Sequence, residues 1–422
     1  MLRTEAPPLA VDEAQRRILA RIRALPHERV ALPAAHGRVL AAPVTARADL
    51  PPWDNSAMDG YAVRAADVAA GVALRVALDL PAGTRPGQPL PEGAVARIMT
   101  GAPLPAGADA IVPVERTEGP SGEAAFAAVG EEVRFAEAVA RGQHVRRAGE
   151  DVRAGQVAVP AGVPCGPPQI AMAASAGATE LEVVRRPEVA IVSTGDELVD
   201  VGQPARPGAI VNGNAVGLAA LVVEAGGVPR RLPVVPDEPH ATRAAILEAL
   251  TADAVVTIGG VSVGERDLVR QALADAGVEL AFWRVAIRPG GPMAFGASAD
   301  GRPVFALPGN PVSAQVTFEL FARPALRRMA GHARCFRRPV PARLAEPIPA
   351  HPEKALYLRA RLVAEGDGWR ATLTGPQGSA VLSSLVAADA LVLVPAGAGT
   401  LESGDRVLAY PLGADALDTE AP

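Results

Sequence analysis

A glycine-rich loop between an apolar run and a helical segment is the first stretch of this sequence that could bind a ligand. The apolar run 254–258 ends at Gly259 and Gly260, and Ser262 and Gly264 follow before helical periodicity begins. Backbone N–H groups in loops of this kind bind phosphate oxygens. No Gly-Lys-Ser/Thr follows the loop, and its glycines lack the G-x-G-x-x-G spacing of a dinucleotide fold. The loop therefore predicts a phosphate site of neither type.

Carboxylates accompany this loop and the loop after an earlier strand. Asp267 lies three residues after the last glycine, and Asp196 and Glu197 follow the strand EVAIVSTG. A carboxylate repels phosphate unless a divalent cation lies between them, and Mg²⁺ is commonly held by one or two carboxylates together with phosphate oxygens. These residues therefore indicate a Mg²⁺ site beside the phosphate loop. Asp267 could instead cap the N-terminus of its own helix.

Other segments contain polar residues whose role the pattern leaves open. The loop LPGNPVSA, residues 307–314, follows a strand and opens a helix whose first N–H groups can bind an anion. Arg284 and Arg288 are four residues apart and could converge on an anion, although pairs of surface arginines are common. The segments 51–63 and 97–115 are polar turns among apolar runs, and turn chemistry alone could account for them.

The elements around the three strand-end loops predict an α/β domain. Strands and helices alternate from residue 186 to about residue 331. Repeated βα units form a parallel sheet with helices on both faces. Ligands bind to such open sheets in the crevice at the carboxyl ends of the strands, which is where the three loops begin. The three loops are therefore predicted to line one cleft.

The segments before and after this domain have different sequence patterns. Residues 9–25 have an apolar stripe with helical spacing. From about residue 45, short apolar runs interrupted by Pro and Gly predict a loop-rich β domain. After Cys335, short strands predict a small β-barrel or sandwich. The predicted fold class is α/β plus β in a multidomain chain, with a parallel-sheet α/β domain, a loop-rich N-terminal β domain and a C-terminal small β-barrel.

Composition excludes several classes of function. The formal net charge is −5, so the basic footprint of sequence-independent nucleic-acid binding is missing. The only cysteines, Cys165 and Cys335, form neither a zinc motif nor a disulfide framework, as is typical of a reducing compartment. The sequence contains no run of 18 apolar residues and no export signal. We therefore expect a cytoplasmic protein that binds neither nucleic acid nor membrane.

Eight motifs follow one another along the chain: DNSAMDGYAV, RIMTGAPLPAGADAIVPVE, AGEDV, STGDEL, GGVSVGERD, PGGPMAFG, LPGNPVSA and GPQGSAVLSSL. Together they resemble, in the same order, the MoeA and gephyrin E-domain family of molybdopterin molybdenumtransferases. The resemblance runs from about residue 10 to residue 412 and so covers essentially the whole chain.

The resemblance implies a reaction in which adenylylated molybdopterin and molybdate give molybdenum cofactor and AMP, assisted by Mg²⁺. The substrate carries a pyrophosphate linkage, a pterin phosphate and a dithiolene, so its charges need backbone N–H groups, arginines and a metal ion. Molybdate is a tetrahedral dianion and needs a second anion pocket. Two alternatives are a molybdopterin adenylyltransferase, whose family lacks the SAMDGYA motif and the C-terminal barrel, and a non-catalytic scaffold protein.

The resemblance also implies roles for individual residues. The implied catalytic residues are Asp59, Thr100, Glu197, Asp237 and Asp267. The implied metal ligands are Asp59, Asp151, Glu197, Asp237 and Asp267. The implied substrate-binding residues are Gly259, Gly260, Ser262, Gly264, Arg284, Arg288, Pro308, Asn310, Pro311, Ser313, Arg359 and Ser379.

The chain departs from the family pattern at several of its positions. Arg284 and Arg288 stand where the family typically has lysines, and Lys354 is the only lysine of the chain. We interpret this exchange as a compositional bias that preserves charge but not geometry, because Arg offers a planar fork where Lys offers a point charge. Gly291 stands where lysine is frequent, and Asp389 where asparagine is usual. We expect these departures to change affinity rather than reaction type.

The resemblance finally implies an assembly and a domain layout. Members of the family form homodimers, with the cleft shared between the α/β domain of one subunit and the N-terminal β domain of its partner, so Asp59 and Thr100 would act in trans. Molybdopterin adenylyltransferase and molybdoenzyme apoproteins are expected as transient partners. The predicted domains are an elongated N-terminal linker domain (1–45 and 153–185), an inserted β-rich domain (46–152), the α/β molybdopterin-binding domain (186–332) and the C-terminal β-barrel domain (333–422).

Overall fold

The chain divides into two compact units. The β unit consists of residues 29–36 and 42–182, and the α/β–barrel unit consists of residues 1–28, 37–41 and 183–422. The domain boundaries expected from the sequence are finer than this division and stay a prediction. The computed structural model describes residues 7–204, 206–260, 268–366, 368–413 and 417.

A six-stranded sheet forms the centre of the β unit. Tyr61 is fully buried, and its hydroxyl accepts a hydrogen bond from the N–H of Ala127 at 2.7 Å, which satisfies the polar end of this core aromatic. A Cβ atom at Gly60 would lie 2.1 Å from the carbonyl oxygen of Val112, so the close approach of these strands requires glycine. In sheet order the strands are Ala110–Pro113, Gly60–Val63, Ala94–Ile98, Ala73–Leu80, Glu132–Phe135 and Thr117–Glu118.

Shorter elements complete the β unit. Its one described α-helix is Pro167–Ser175, and its 3-10 turns are Leu32–Ala35, Ala65–Asp67 and Val114–Arg116. Two antiparallel pairs join Val44–Thr45 to Val157–Val159 and Asn55–Ser56 to Val145–Arg146. The strands His27–Ala31 and Glu180–Val184 lie where the chain passes between the units.

A mixed six-stranded sheet forms the centre of the α/β–barrel unit. Four neighbouring strands are parallel, as the βα alternation predicts, and two strands at one edge are antiparallel. A parallel crossover needs a dozen or more residues, usually with a helix, and the segment between Phe282 and Ala294 is too short for one. In sheet order the strands are Val228–Arg231, Glu188–Ser193, Ala254–Ile258, Pro303–Leu307, Ala294–Ala297 and Glu279–Phe282.

Helices cover both faces of this sheet. Every residue of the central strand Ala254–Ile258 is buried, as expected of a strand covered on both sides. Leu218 and Phe318 belong to the core on one face, and Ile246 and Leu273 belong to the core on the other. The described helices of this unit are Val11–Ala20, Gly213–Glu224, Pro239–Ala249, Leu268–Asp275, Pro311–Thr317, Arg323–Met329 and Leu382–Val386.

The helix predicted over residues 312–329 contains a wider turn. Pro311–Thr317 and Arg323–Met329 are α-helical, and Phe318–Ala322 between them is π-helical. Pro324 has no N–H group, and its ring would clash with the carbonyl of residue Leu320 in a regular helix. The π turn accommodates this proline without ending the helix.

The C-terminal part of the α/β–barrel unit is a closed five-stranded barrel, which confirms the predicted small β-barrel. The strand Ile287–Arg288 pairs in parallel with Ala355 and Leu356, so the α/β part of the unit contributes a short strand to the barrel. No helix in the described ranges is long and apolar enough to span a membrane. Going round the barrel, the strands are Ala355–Glu365, Gly368–Leu373, Val340–Leu344, Arg406–Pro411 and Ala390–Val394, which pairs with the first.

Candidate functional site

The carboxyl ends of the parallel strands open into a cleft of about 510 Å³. Because parallel strands end at the same edge, the loops that follow three of them meet there. These loops bring Glu197, Gly259 and Asn310 of the predicted site into one cleft wall, together with Thr194. The structure thus assembles the cleft from three loops that together span more than 100 residues of the chain.

The loop after Glu188–Ser193 places two carboxylates at the surface. A Cβ atom at Gly195 would lie 2.6 Å from Oε2 of Glu197, so glycine lets the Glu197 carboxylate fold back over the turn. The side chain of Asp196 accepts a hydrogen bond from the N–H of Asp237 at 3.1 Å. This bond ties the loop of Glu197 to the loop of Asp237, and all three acids are exposed.

The glycine loop lies beside these carboxylates. Gly259 and Gly260 both have positive φ, and a Cβ atom at Gly260 would lie 2.3 Å from Cγ2 of Val269. Glycine is therefore required for the chain to turn this tightly against the following helix. The N–H of Gly259 donates to the carbonyl of Leu307 at 3.0 Å, so this glycine provides close approach rather than a free donor. The predicted residues Ser262, Gly264 and Asp267 lie outside the described residues.

The loop 307–314 connects the cleft to the barrel. The amide nitrogen of Asn310 donates to Oγ of Ser379 at 3.1 Å, and the N–H of Val312 donates to the carbonyl of Ser379 at 3.1 Å. Asn214, which the sequence analysis did not assign to the site, donates to the carbonyl of Gly309 at 2.7 Å. Its position just after the short strand Ile210–Val211, which pairs in parallel with Leu198–Val199, was the available signal. Pro308 and Ser313 are buried and support the loop, and Pro311 opens the helix at its first position.

Arg359 is a buried cation that has no counter-ion among the described residues. Its side chain is 0% exposed, and its Nε atom donates to Oγ of Ser384 at 3.0 Å. Its Nη2 atom donates to the carbonyls of Gly378 and Pro376 at 3.0 and 3.3 Å, while Nη1 has no partner within the described chain. Burial lowers the pKa of this guanidinium. A buried charge that no acid of the described chain pairs with is costly, and an anionic ligand would offset this cost.

The loop that contacts the Arg359 side chain contains Ser379. The side-chain amide of Gln377 holds this loop in place. Gln377 accepts a hydrogen bond from the N–H of Arg359 at 2.9 Å and donates one to its carbonyl at 3.1 Å. The loop is thereby fixed against the strand Ala355–Glu365. Arg359, Ser379 and Asn310 therefore form one connected group at the junction of the barrel and the sheet.

Other predicted residues lie apart from this group. Arg288 is exposed at the end of the short strand Ile287–Arg288, and Arg284 is half-buried; neither lines the cleft described above. Asp389, which stands where the family has asparagine, accepts a hydrogen bond from the N–H of Leu362 at 2.9 Å. A carboxylate oxygen replaces an amide oxygen as acceptor there, so this departure preserves the barrel.

The β unit carries its own polar site. The N–H and the hydroxyl of Thr100 both donate to Oδ1 of Asp59, each at 2.7 Å. These two bonds, that of the hydroxyl first, lower the pKa of the Asp59 carboxyl. Asp59 and Thr100 are exposed, so the carboxylate is oriented yet open to a ligand. Asp151 is also exposed, and its N–H donates to the carbonyl of Leu50 at 3.1 Å.

The predicted metal ligands do not form a ready-made cage. Among the described residues, no group of three or more His, Cys, Asp or Glu side chains converges in a way that would hold a metal ion. Mg²⁺ commonly needs only one or two protein carboxylates, because water and substrate phosphate complete its shell. The open carboxylates of Glu197 and Asp237 have hard oxygen donors of the kind Mg²⁺ prefers.

This fold and this site define a class of protein. It is a multidomain chain that presents a strand-end cleft in an α/β domain and an uncompensated arginine in an adjoining barrel, which together suit a ligand with several negative charges. Three family models match the chain: the MoeA N-terminal region (domain I and II) over residues 9–177, a probable molybdopterin binding domain over residues 190–328, and the MoeA C-terminal region (domain IV) over residues 341–412. The chain belongs to the MoeA family.

Individual relatives agree with this assignment along nearly the full length. The chain is 38% identical over 417 residues to molybdopterin molybdenumtransferase 2 of Mycobacterium tuberculosis, covering 96% of this chain and 99% of that protein. It is 34% identical over 411 residues to the molybdopterin molybdenumtransferase of Bacillus subtilis, covering 95% and 93%. The crystal structure of the molybdopterin biosynthesis MoeA protein of Pyrococcus horikoshii OT3 superimposes with a TM-score of 0.80 at 29% identity, covering 96% and 100%.

Proposed function

We infer that this chain is a molybdopterin molybdenumtransferase, a transferase of molybdenum cofactor biosynthesis. It inserts molybdenum from molybdate into adenylylated molybdopterin, which forms molybdenum cofactor and releases AMP. Relatives that carry the transferase name at 34 to 38% identity over nearly the full length support this function. The observation within the molecule that carries it is the buried Arg359, whose charge has no counter-ion in the described chain.

We assign the anion site at Arg359 to molybdate. The guanidinium is held by Ser384 and by two carbonyls, so it is immobilised before any ligand arrives. Its Nη1 atom is a buried donor with no partner in the described chain, and Nη2 bonds to Gly378, the neighbour of Ser379, so we propose that Arg359 and Ser379 together hold the tetrahedral oxyanion. Because the loop of Asn310 bonds to Ser379, an oxyanion there would lie next to the strand-end cleft in the same unit.

The strand-end cleft is then the site for the phosphates of adenylylated molybdopterin. Gly259 and Gly260 permit close approach of the backbone, and the helix that begins at Pro311 has the positive end of its dipole in the cleft wall. The arrangement positions the pyrophosphate by backbone groups instead of lysine side chains. We propose further substrate contacts from Arg284 and Arg288, and from Ser262 and Gly264, which lie outside the described residues.

Mg²⁺ is proposed as the cofactor, with Glu197 and Asp237 as its ligands in the cleft. Asp267, which lies outside the described residues, is proposed with them, and Asp59 and Asp151 are proposed from the β unit. Bound Mg²⁺ supplies neutralisation of phosphate charge and polarisation of a phosphoryl oxygen. Thr100 holds the Asp59 carboxylate in its ionised and oriented form, because both of its donors bond to the same oxygen.

A homodimer in the cytoplasm is the proposed working form. The β unit of one subunit would bring Asp59 and Thr100 to the cleft of its partner, which accounts for two polar sites on two compact units. Molybdopterin adenylyltransferase is the proposed source of the substrate, and molybdoenzyme apoproteins are the proposed recipients of the product.

The test is AMP release. Incubation of the protein with adenylylated molybdopterin, Mg²⁺ and molybdate is expected to release AMP, measured by chromatography, in proportion to molybdate. Formation of adenylylated molybdopterin with release of pyrophosphate, when ATP and molybdopterin are supplied, would instead indicate the adenylyltransferase. The absence of turnover in both assays would indicate a scaffold. Arg359→Lys should reduce molybdate-dependent release, whereas Arg361→Lys, an exposed position on the same strand, should leave it unchanged.

A further inference from the structure

One residue of the β unit has an unusual backbone conformation. His144 has a φ of 56° and is the one non-glycine residue with a positive φ among the described residues. In this left-handed region the Cβ atom of an L-residue lies close to the following carbonyl oxygen, so asparagine, aspartate and histidine are the usual exceptions to glycine. Residues held there cluster at functional sites, where their surroundings require the conformation. The conformation of His144 is therefore expected to support a particular contact.

His144 occupies the third position of a β-turn. The N–H of Val145 donates to the carbonyl of Gly142 at 3.3 Å, which closes the turn formed by residues 142–145. A positive φ at the third position is typical of turns that have glycine or asparagine there. The imidazole lies 3.4 Å from the side-chain nitrogen of Gln143, the preceding residue. The side chain of His144 therefore contacts its own turn, whereas the carbonyls of the turn bond to other segments.

The carbonyls of two successive residues hold different segments. The carbonyl of Gln143 accepts a hydrogen bond from the N–H of Ile111 at 3.0 Å, and that of His144 accepts one from the N–H of Ala57 at 2.9 Å. The φ and ψ angles of His144 set the angle between the two peptide planes that contain these carbonyls. An extended conformation at His144 would rotate one carbonyl away from its donor. The positive φ therefore allows both bonds to form.

Ala57 lies in the turn that leads to Asp59. The hydroxyl of Ser56 donates to the carbonyl of Met58 at 2.5 Å, across Ala57. The residues that follow His144 pair in antiparallel register with the strand before this turn. The bond from Ala57 to His144 extends this pairing by one residue beyond the strand. It therefore limits how far the backbone before Asp59 can move.

The same turn is also bonded to the segment of Thr100. The N–H of Gly101, the next residue, donates to the carbonyl of Ser56 at 2.8 Å. Both donors of Thr100 bond to Oδ1 of Asp59, each at 2.7 Å. Hydrogen bonds weaken steeply with misalignment, so a shift of the turn would weaken both of these bonds. The backbone contacts that begin at His144 therefore reach the pair of residues in the polar site of the β unit.

We propose that His144 is a positioning residue for Asp59, and that its left-handed backbone conformation, not its imidazole, performs this role. The conformation holds Ala57, and the turn then presents the Asp59 carboxylate to the two donors of Thr100. The proposal rests on the proposed function, in which Asp59 takes part in the reaction. It also determines which residues can replace His144. Glycine and asparagine adopt a positive φ, whereas a β-branched residue such as valine does not.

Hydrogen–deuterium exchange of the full chain, resolved to single amides, measures the contact directly. His144→Val is expected to speed exchange at Ala57 and Thr100 about tenfold, because the turn opens more often. His144→Gly and His144→Asn should stay within about threefold of the wild type. Arg146→Val is the matched control, because it places valine at an exposed position of the adjoining strand.

Molybdate-dependent AMP release measures the consequence for the reaction. We expect His144→Val to lower kcat about tenfold and to leave the KM for molybdate unchanged, because the substitution does not touch the site at Arg359. His144→Gly and His144→Asn should retain about half of the wild-type kcat or more. Each variant is assayed below its own unfolding midpoint, so that loss of folded protein does not account for a difference.

Three results would overturn the proposal. The first is wild-type exchange at Ala57 in His144→Val. The second is a loss of activity in His144→Gly equal to that in His144→Val, which would assign the role to the imidazole. The third is a normal kcat in a His144→Val protein whose turn exchanges faster. Absence of AMP release by the wild type is a separate result that contradicts the proposed function, and the exchange rates then decide whether His144 holds the turn.

Discussion

Two buried arginines in the α/β–barrel unit have opposite surroundings. Arg337 donates to both carboxylate oxygens of Glu319, at 2.8 and 3.0 Å, and to Glu224 at 2.6 Å. Arg359 is more deeply buried and donates to neutral oxygens alone among the described residues. Burial by itself lowers an arginine pKa, and it does so for Arg359; at Arg337 the two carboxylates overcome it and raise the pKa.

This difference in surroundings indicates that Arg337 stabilises the fold and that Arg359 is suited to bind a ligand. At Arg337 the chain itself supplies the counter-ions, so an added anion would meet carboxylates there. At Arg359 the described residues supply orientation but no negative charge, so an external anion would complete the site. The same residue type therefore has two functions within one unit, and the position of acids around it decides which.

The largest expected effect tests the structural member of this pair. Arg337→Met leaves Glu319, whose side chain is 7% exposed, without its closest cation. We expect the free energy of unfolding to fall by about 3 kcal/mol, because the buried carboxylate loses its hydrogen-bonded cation and keeps only the ion pair with Arg323 at 3.7 Å. Chemical denaturation measures this loss. Arg337→Met combined with Glu319→Leu should recover most of it, and Arg338→Met, an exposed neighbour, should show none. A loss below 1 kcal/mol would contradict the structural role.

A second prediction concerns the pH dependence of stability that arises from His332, which lies near Arg323 and Arg327. Burial, and then the charges of Arg327 and Arg323, lower the pKa of His332 to about 4. The unfolded chain, with an ordinary pKa near 6.5, therefore takes up the proton first on acidification. His332 therefore makes its full contribution to the free energy of unfolding above about pH 6.5. This contribution falls by about 3 kcal/mol in total as the pH drops towards about 4.

Chemical denaturation at several pH values between 4.5 and 7 measures this slope. His332→Gln should flatten it, whereas His240→Gln, an exposed histidine, should not. An unchanged slope in His332→Gln would show that the titration belongs to other groups.

A third prediction tests the binding member of the pair. Molybdate at about 100 times its dissociation constant should stabilise the wild type by about 2.7 kcal/mol. Arg359→Lys should lose most of this stabilisation, because lysine cannot make the three directed bonds that hold the guanidinium. Thermal and chemical unfolding with and without molybdate measure it, with Arg361→Lys as the matched control. Equal stabilisation of wild type and Arg359→Lys would place molybdate elsewhere.

The smallest expected effect extends the comparison to the β unit. Asp59 is held by neutral donors, as Arg359 is held by neutral acceptors, and it makes no ion pair with a described residue. Thr100→Val removes the hydroxyl that donates at 2.7 Å, and we expect AMP release to fall about tenfold without loss of stability. Thr100→Ser keeps the donor and should retain most activity. If Thr100→Val were as active as Thr100→Ser, the hydrogen bond would have no role in the reaction.

Sequence reasoning succeeded where one segment contains its own evidence. The alternation of strands and helices predicted the parallel part of the sheet, and short strands predicted the barrel. It was less informative where distant segments meet. The antiparallel edge strand Glu279–Phe282 and the π turn Phe318–Ala322 depend on connection length and on one proline. Asn214 was not assigned because its partner, Gly309, is 95 residues away.

The sequence by itself determined the family, the order of the elements and the residue types available for chemistry, because these are properties of local pattern and motif. Local pattern alone does not separate Arg337 from Arg359, since both are arginines next to apolar residues in the chain, and only the resemblance to the family singled out Arg359. Only the tertiary structure decided that Glu319 and Glu224 surround the first and that neutral oxygens surround the second. The physical reason is that electrostatic energy depends on distance and burial, which folding sets between residues far apart in sequence.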